Sequence, residues 1–308
     1  FSADMLPRIE DSMSIGGHVT STAAKETGLR EGLPVARGGS DQAMAALALN
    51  LDRGGVVAVA LSTGATTITA VDSPVSDARI HTLCHTRDQT WLAMGATLTG
   101  GVGLSWLRDV LSSSYPGSHG DDRAIGIEKM TEEAAGVPAG SNGLFFCPYL
   151  LGDRTPHMDP NARACFIGLN PSHRSNHLVR AVLEGVAYSL KESIEIFREH
   201  HVPLGEVLVY AGGSKSATWR QILADVFNLP LRWSDNADYS VIGAALCAAE
   251  AAGLGRAHGD PRIKDAGVVT PNREAVQVYG EYFEVYRSIY PSVSGLFHSI
   301  SRLPGREL

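Results

Sequence analysis

The sequence predicts an α/β protein, on three observations. Short apolar runs of strand length recur along the chain, as at 56–61 and 207–210. Stretches with helical period alternate with them, the most regular carrying Leu178, Val182, Val186, Leu190, Ile194 and Phe197 on one stripe. Glycine pairs stand where strands hand over to helices, at Gly38-Gly39 and Gly212-Gly213.

Taken in order, residues 33–36 read as a strand leading into Gly38-Gly39-Ser40-Asp41, and 42–51, rich in Ala and Leu, as a helix. A hairpin follows, with strands at 56–61 and 65–71 and a tight turn at Ser62-Thr63-Gly64. The pattern breaks at Asp72-Ser73-Pro74, and a domain boundary is expected there, dividing 1–73 from 74–308. A second hairpin pairs 79–85 with 90–96 about Arg87-Asp88. Residues 98–112 read as a helix with Leu98, Val102, Trp106 and Val110 four apart on one face. A Ser- and Gly-rich loop is expected over 112–122 and a short helix over 124–135. Strands at 143–149 and 164–169 flank a polar loop, and the longest helix is expected at 175–200. A strand at 207–210, helices at 218–227 and 240–251, and a mostly helical end over 274–303 complete the chain. The start on Phe1, with a Leu6-Pro7 turn close behind, looks like the middle of a longer protein.

Bulk properties narrow the function. A chain of 308 residues, 44% hydrophobic and 19% charged, has the balance of a globular protein with a real core. A net charge of −7, with Lys and Arg scattered among acids, argues against a nucleic-acid footprint. No eighteen-residue apolar run suggests a membrane span, no signal peptide is read, and a cytoplasmic protein is expected. Cys84, Cys147, Cys165 and Cys247 read as small buried hydrophobes in a reducing compartment, with no Cys-x-x-Cys spacing among them. His81 and His85 are four apart but on a predicted strand, and no metal ligand set is expected.

Three segments carry chemistry. Asp41, after two glycines at a strand–helix junction, reads either as a helix N-cap or as a general base. The turn Ser62-Thr63-Gly64 is either a plain hairpin bend or a cradle for phosphates. Tyr210-Ala211-Gly212-Gly213-Ser214-Lys215-Ser216 follows a strand and precedes a helix, where α/β proteins bind nucleotides. It is neither a Walker A loop nor a Gly-x-Gly-x-x-Gly fingerprint, so its glycines equally suit a packing contact and Lys215 a solvated position.

A fourth segment joins these together. Residues 164–169, then seven residues, then 177–184 resemble the second signature of the FGGY carbohydrate kinases. Gly152-Asp153-Arg154-Thr155-Pro156-His157 and 159–163 are similar to the stretch that precedes this signature in xylulokinases. The segments 97–109, 212–225 and 240–249 resemble further blocks of the family.

The resemblance implies an actin/hexokinase-like (ribonuclease H-like) ATPase fold, with a complete second lobe and the end of the first. It implies transfer of the γ-phosphoryl group of ATP, with Mg2+, to a ketose hydroxyl, most simply D-xylulose to D-xylulose 5-phosphate. Asp41 would then be the catalytic base and Gln42 a sugar ligand, with Thr63, Gly64, Gly101, Gly212, Gly213 and Ser216 against the nucleotide. Carboxylates that position the metal would come from the first lobe, so no metal residue is assigned. The partners implied are a small sugar and ATP, without nucleic acid or membrane, and a homodimer fits the family. Xylulokinases usually carry Asn where this chain has Gln42, as glycerol kinases do, and a Gly-Thr-Ser order where it has Ser62-Thr63-Gly64. Glycerol, erythritol or another polyol is therefore an alternative acceptor. A catalytically silent sugar- or nucleotide-binding relative is another alternative, as is an actin-like structural protein.

Overall fold

A computed structural model describes residues 5, 8–113, 126–234, 236, 238–255 and 267–303. Its centre is a seven-stranded sheet built from β3 (Gly55–Leu61), β4 (Ala65–Val71), β5 (His81–Cys84), β6 (Trp91–Thr97), β9 (Leu204–Tyr210), β10 (Leu231–Trp233) and β11 (Val268–Val269). The strand order is β11-β10-β9-β3-β4-β6-β5. β3 runs parallel to β9, and β9 to β10, while the two hairpins add antiparallel neighbours. Two small antiparallel pairs stand apart, β1 (Ile15–His18) with β2 (Pro34–Ala36) and β7 (Phe145–Cys147) with β8 (Cys165–Ile167).

Both faces of the sheet are covered, which is why β3 reads as a continuous apolar run. Val57, Val59 and Leu61 point into the larger core, packed on α5 (Ser175–Glu199), α6 (Ala217–Phe227) and α8 (Arg273–Ser301). Ala58 points the other way, to α2 (Asp41–Ala48) and α7 (Tyr239–Ala251). That second layer is thin because its helices are alanine-rich. A Cβ on Gly243 would sit 1.8 Å from the Met44 carbonyl oxygen, so only glycine allows this approach of α7 to α2.

The larger core contains a buried ion pair. Arg180 Nε donates to Glu184 Oε1 at 2.7 Å, and Tyr279 Oη and the Gly140 amide donate to the same oxygen. These bonds tie α5 to α8 and to the turn at Gly140. Glu184 is therefore occupied in holding the core.

Several expectations are corrected. The longest described helix is α8, with 29 residues against 25 for α5. α3 (Gly101–Ser113) begins three residues later than expected and turns its other face inward: Leu104 and Leu107 are buried, while Trp106 and Val110 are exposed. The short helix is α4 (Ile127–Ala134), and the sequence reading missed α1 (Ser21–Thr27), β1, β10 and β11. Cys84 is exposed and Cys165 only partly buried, so two of the four cysteines are not core hydrophobes. Residue 73, where a domain boundary is expected, lies in the link between β4 and β5. The Leu6-Pro7 turn and most of the 112–122 loop lie outside the described residues. Among the described residues no helix is long and apolar enough to cross a membrane, and no cluster of His, Cys, Asp and Glu could hold a metal ion.

Candidate active site

The site is set by strand register. β3 and β9 are parallel and pair Ala60 with Tyr210, so both strands end at the same edge of the sheet. β4 leaves that edge opposite Leu61, and Ala65 pairs with Thr97, the last residue of β6. Three connections therefore meet beyond the carboxyl ends of parallel strands: the 62–64 turn, the 98–100 link into α3, and the turn at 211–216. This is where open α/β sheets bind ligands.

The first two connections are locked together by backbone. Gly100 and Val102 donate to the Thr63 carbonyl at 2.9 and 3.1 Å, and Gly101 to the Ser62 carbonyl at 2.7 Å. A Cβ on Gly100 would fall 2.4 Å from the Gly64 carbonyl oxygen, so the chains pass too closely for any side chain there. The third connection opens on Ala211, whose φ of 72° and ψ of −169° lie in a region that is essentially glycine's. Ser214 Oγ stands 2.6 Å from the carbonyl oxygens of both Ala211 and Ser234, and fixes the turn from beneath. Gly213 lies against β3, where a Cβ would meet the Leu61 side chain at 2.5 Å, whereas a Cβ on Gly212 would meet nothing within 4 Å. Gly212 therefore faces open space, and Gly213 is a packing glycine.

These connections enclose a cavity of about 690 Å³, in the size range of small-molecule and cofactor sites. Thr63, Gly101, Gly212, Gly213 and Ser216 all line it. Ser216 also caps α6, its hydroxyl accepting from the Trp219 amide at 3.2 Å. Gly64 stands just behind the lining, its carbonyl accepting from the Ser62 amide. Lys215 is exposed and lines the cavity as well, at its rim. Sequence reasoning missed the opposite wall, where α4 contributes Glu128, Thr131 and Glu132. The only signal was the four-residue spacing of two glutamates on an amphipathic helix, which is ordinary for a solvated face.

Asp41 and Gln42 are not part of that lining. Ser40 is the N-cap of α2, its hydroxyl accepting from the Ala43 amide, so the capping alternative for Asp41 is taken by its neighbour. Asp41 is exposed in the first turn, and its Oδ1 accepts from the Gln42 amide at 2.8 Å. Gln42 Oε1 is buried and has no hydrogen-bond partner among the described residues. Burial, with the Asp41 carboxylate as a second cause, pushes the Tyr210 phenol up. Asp41 thus stands near the end of β9, the strand that delivers the 211–216 turn to the cavity.

The model of the FGGY family of carbohydrate kinases, C-terminal domain, matches residues 57–252. The chain belongs to this family. A xylulose kinase of Bacillus subtilis strain 168 is 30% identical over 300 residues, covering 96% of this chain and 58% of that protein. A gluconokinase of the same organism is 31% identical over 255 residues, covering 81% of this chain and 49% of that protein. Among solved structures, xylulose kinase from Rhodospirillum rubrum superposes with a TM-score of 0.83 at 30% identity, over 97% of this chain and 59% of that one. The chain thus spans 49–59% of the length of these relatives. The fold is the actin/hexokinase-like one of these sugar kinases.

A second polar cluster of this FGGY chain lies away from the cavity, under the 148–164 loop. Burial pushes the Asp153 carboxyl up to about 7, and burial followed by the Asp153 charge pushes Glu192 up to about 8. Burial also holds the His157 imidazole down, at about 4. Tyr149 Oη lies 3.3 Å from His157 Nε2 and 3.4 Å from Tyr286 Oη. Asp153 Oδ1 and Glu192 Oε2 have no hydrogen-bond partner among the described residues, which suits protonated acids.

Proposed function

We propose that this chain carries the nucleotide site and the catalytic base of an ATP-dependent sugar kinase, with D-xylulose as acceptor. The observation that supports it best is the meeting of the 62–64 turn, the start of α3 and the 211–216 turn around one cavity, with Asp41 beside the same strand end.

The residues present fit the triphosphate donor. Gly212 leaves open space for a phosphate to approach the backbone, and Ser62, Thr63 and Lys215 offer hydroxyl and ammonium donors at the same end. Leu61, Val102, Leu104 and Trp219 supply an apolar wall for a base. Magnesium usually takes few protein ligands and several phosphate oxygens, and it would neutralise charge on the triphosphate. Asp41, exposed in the first turn of α2, accepts the proton of the attacking hydroxyl. Gln42 Oε1, buried and unpartnered, accepts from another sugar hydroxyl.

The test is ATP consumption by the protein that contains this chain, across ketoses, polyols and gluconate, with Asp41→Ala alongside. Turnover on D-xylulose that is lost in the variant supports the whole reading. Turnover on gluconate or glycerol alone keeps the kinase and replaces the acceptor. Nucleotide binding without turnover on any of them overturns the enzyme reading.

A further inference from the structure

We propose that Cys147 and Cys165 form a peroxide-oxidisable dithiol, whose disulfide closes the neck of the 148–164 loop. The two residues lie far apart in sequence but are direct cross-strand partners in the antiparallel pair β7–β8. Directly opposed residues of antiparallel strands have Cα atoms about 4.5 or 5.5 Å apart. Both spacings fall inside the roughly 4.4–6.8 Å that a disulfide spans, so the strands need no movement to be bridged. Opposed residues also point to the same face, which sets the two side chains beside each other.

The pair is asymmetric. Cys147 is fully buried, and Cys165 only partly. The neighbouring Cys147 thiol holds the Cys165 thiol below its ordinary range, while Cys165, followed by burial, pushes Cys147 up. The partly exposed sulfur is thus the one that reaches thiolate, the form that attacks. The other two cysteines lie elsewhere: Cys247 donates to the Ser12 carbonyl at 3.4 Å, and Cys84 is on β5 of the central sheet, outside the β7–β8 pair.

The chemistry balances with a hydroperoxide as oxidant. Cys165 thiolate attacks the terminal peroxide oxygen, the O–O bond breaks, and the leaving alkoxide or hydroxide takes up the thiol's proton, leaving Cys165 as a sulfenic acid. Cys147 sulfur then attacks the Cys165 sulfur. The S–O bond breaks, the Cys147 proton leaves with the hydroxyl as water, and the disulfide remains. One peroxide is reduced by two electrons and two thiols are oxidised. The loop that is closed carries Thr155, whose amide donates to the Ala96 carbonyl at 2.9 Å, with the Ala96 amide donating back to Thr155 Oγ1. The crosslink therefore fastens a loop that clamps the end of β6, next to the link into α3.

The experiment is peptide mapping of the folded chain after a short exposure to hydrogen peroxide, alkylation of residual thiols, and tryptic digestion without reduction. The expected product joins the peptide ending at Arg154 to the one beginning at Ala164, lighter than their sum by two hydrogens. Crosslinks through Cys84 instead, or Cys165 carried to sulfinic acid without a link, would overturn the proposal. With dimedone present, Cys147→Ser should trap the sulfenic acid on Cys165 roughly tenfold faster than Cys165→Ser traps one on Cys147. Equal rates would overturn the asymmetry. The crosslink in the unsubstituted chain is read independently of how either variant folds.

Discussion

The cavity and the 148–164 cluster place opposite chemistry on one scaffold. The cavity is built from glycines, hydroxyls and backbone at strand ends, with its charged residues, Lys215, Glu128 and Glu132, exposed at the rim. The cluster buries two carboxyls and an imidazole with strongly shifted affinities for protons. Strongly perturbed groups are often used to find active sites. Here that criterion leads to the cluster, whereas the family match and the strand topology lead to the cavity. The proposed phosphoryl transfer accounts for the difference, because such a reaction depends on positioning and charge neutralisation more than on a tuned acid.

The sharpest way to break this comparison is at Asp41. Asp41→Asn removes the proton acceptor while keeping the side chain's shape, and should lower kcat by about 10²–10⁴ with little change in stability. Steady-state kinetics of the protein containing this chain would show it. A kcat within a few-fold of the parent would return the search for a base to the cluster. Next in size is Gly100→Ala. Its methyl would meet backbone at 2.4 Å, so the hairpin or α3 must shift, at a cost of about 1–3 kcal/mol. Nucleotide affinity should fall about tenfold or more, because the shift occurs at the cavity wall. Gly212→Ala, with nothing within 4 Å of the new methyl, should leave urea stability unchanged and weaken only nucleotide binding.

These positions also show what the sequence made legible. Turn chemistry is local, so the 62–64 bend and the 212–213 pair could be read from a few residues, and both line the cavity. Periodicity is local as well, but it does not choose between faces. In α3 the Leu98, Val102, Trp106, Val110 stripe and the Leu104, Leu107 stripe are similarly apolar, and only the arrival of α5 and β7 decides which is buried. β10 and β11 have three and two residues, too few for a pattern, and exist because β9 offers an edge to β10 and β10 one to β11. Glu128 and Glu132 reach the cavity from a helix with no motif, and the Cys147–Cys165 register arises only from the pairing of β7 with β8.

The cluster should reveal itself in stability rather than in turnover. Asp153 and Glu192 keep their protons to about 7 and 8 in the folded chain, whereas unfolded carboxyls release theirs near 4. Between those limits the folded state binds more protons, so stability falls as pH rises. His157 and His85, both held at about 4 by burial, act in the opposite sense. Their stabilisation is present above the unfolded value of about 6.5 and is lost as pH falls through 4. The two effects offset each other from about pH 4.5 to 6.5, and above that range only the acids act. Urea unfolding should therefore show roughly 2 kcal/mol lost between pH 6 and 8.5, from the linkage of buried carboxyls. Glu192→Gln should remove most of that loss, because Asp153 alone is nearly balanced by the two histidines, and should leave kcat unchanged. A parallel loss of kcat would tie the cluster to the chemistry.

The smallest effect is expected where the cavity itself is strained. Ala211 holds a backbone conformation that costs a non-glycine residue about 1–3 kcal/mol. Replacing it with glycine relieves that cost but gives the unfolded chain more freedom, worth about 0.4–1 kcal/mol in the other direction. Ala211→Gly should therefore stabilise the chain by about 1 kcal/mol, read as a higher urea midpoint at unchanged m-value. The Ser214 hydroxyl and the Gly213 contact with Leu61 hold the turn in place from two sides, so the affinity for a nucleotide should not change. If affinity fell while stability rose, the strain would be serving the ligand, keeping the Gly212 backbone turned to the cavity at a conformational cost that glycine releases.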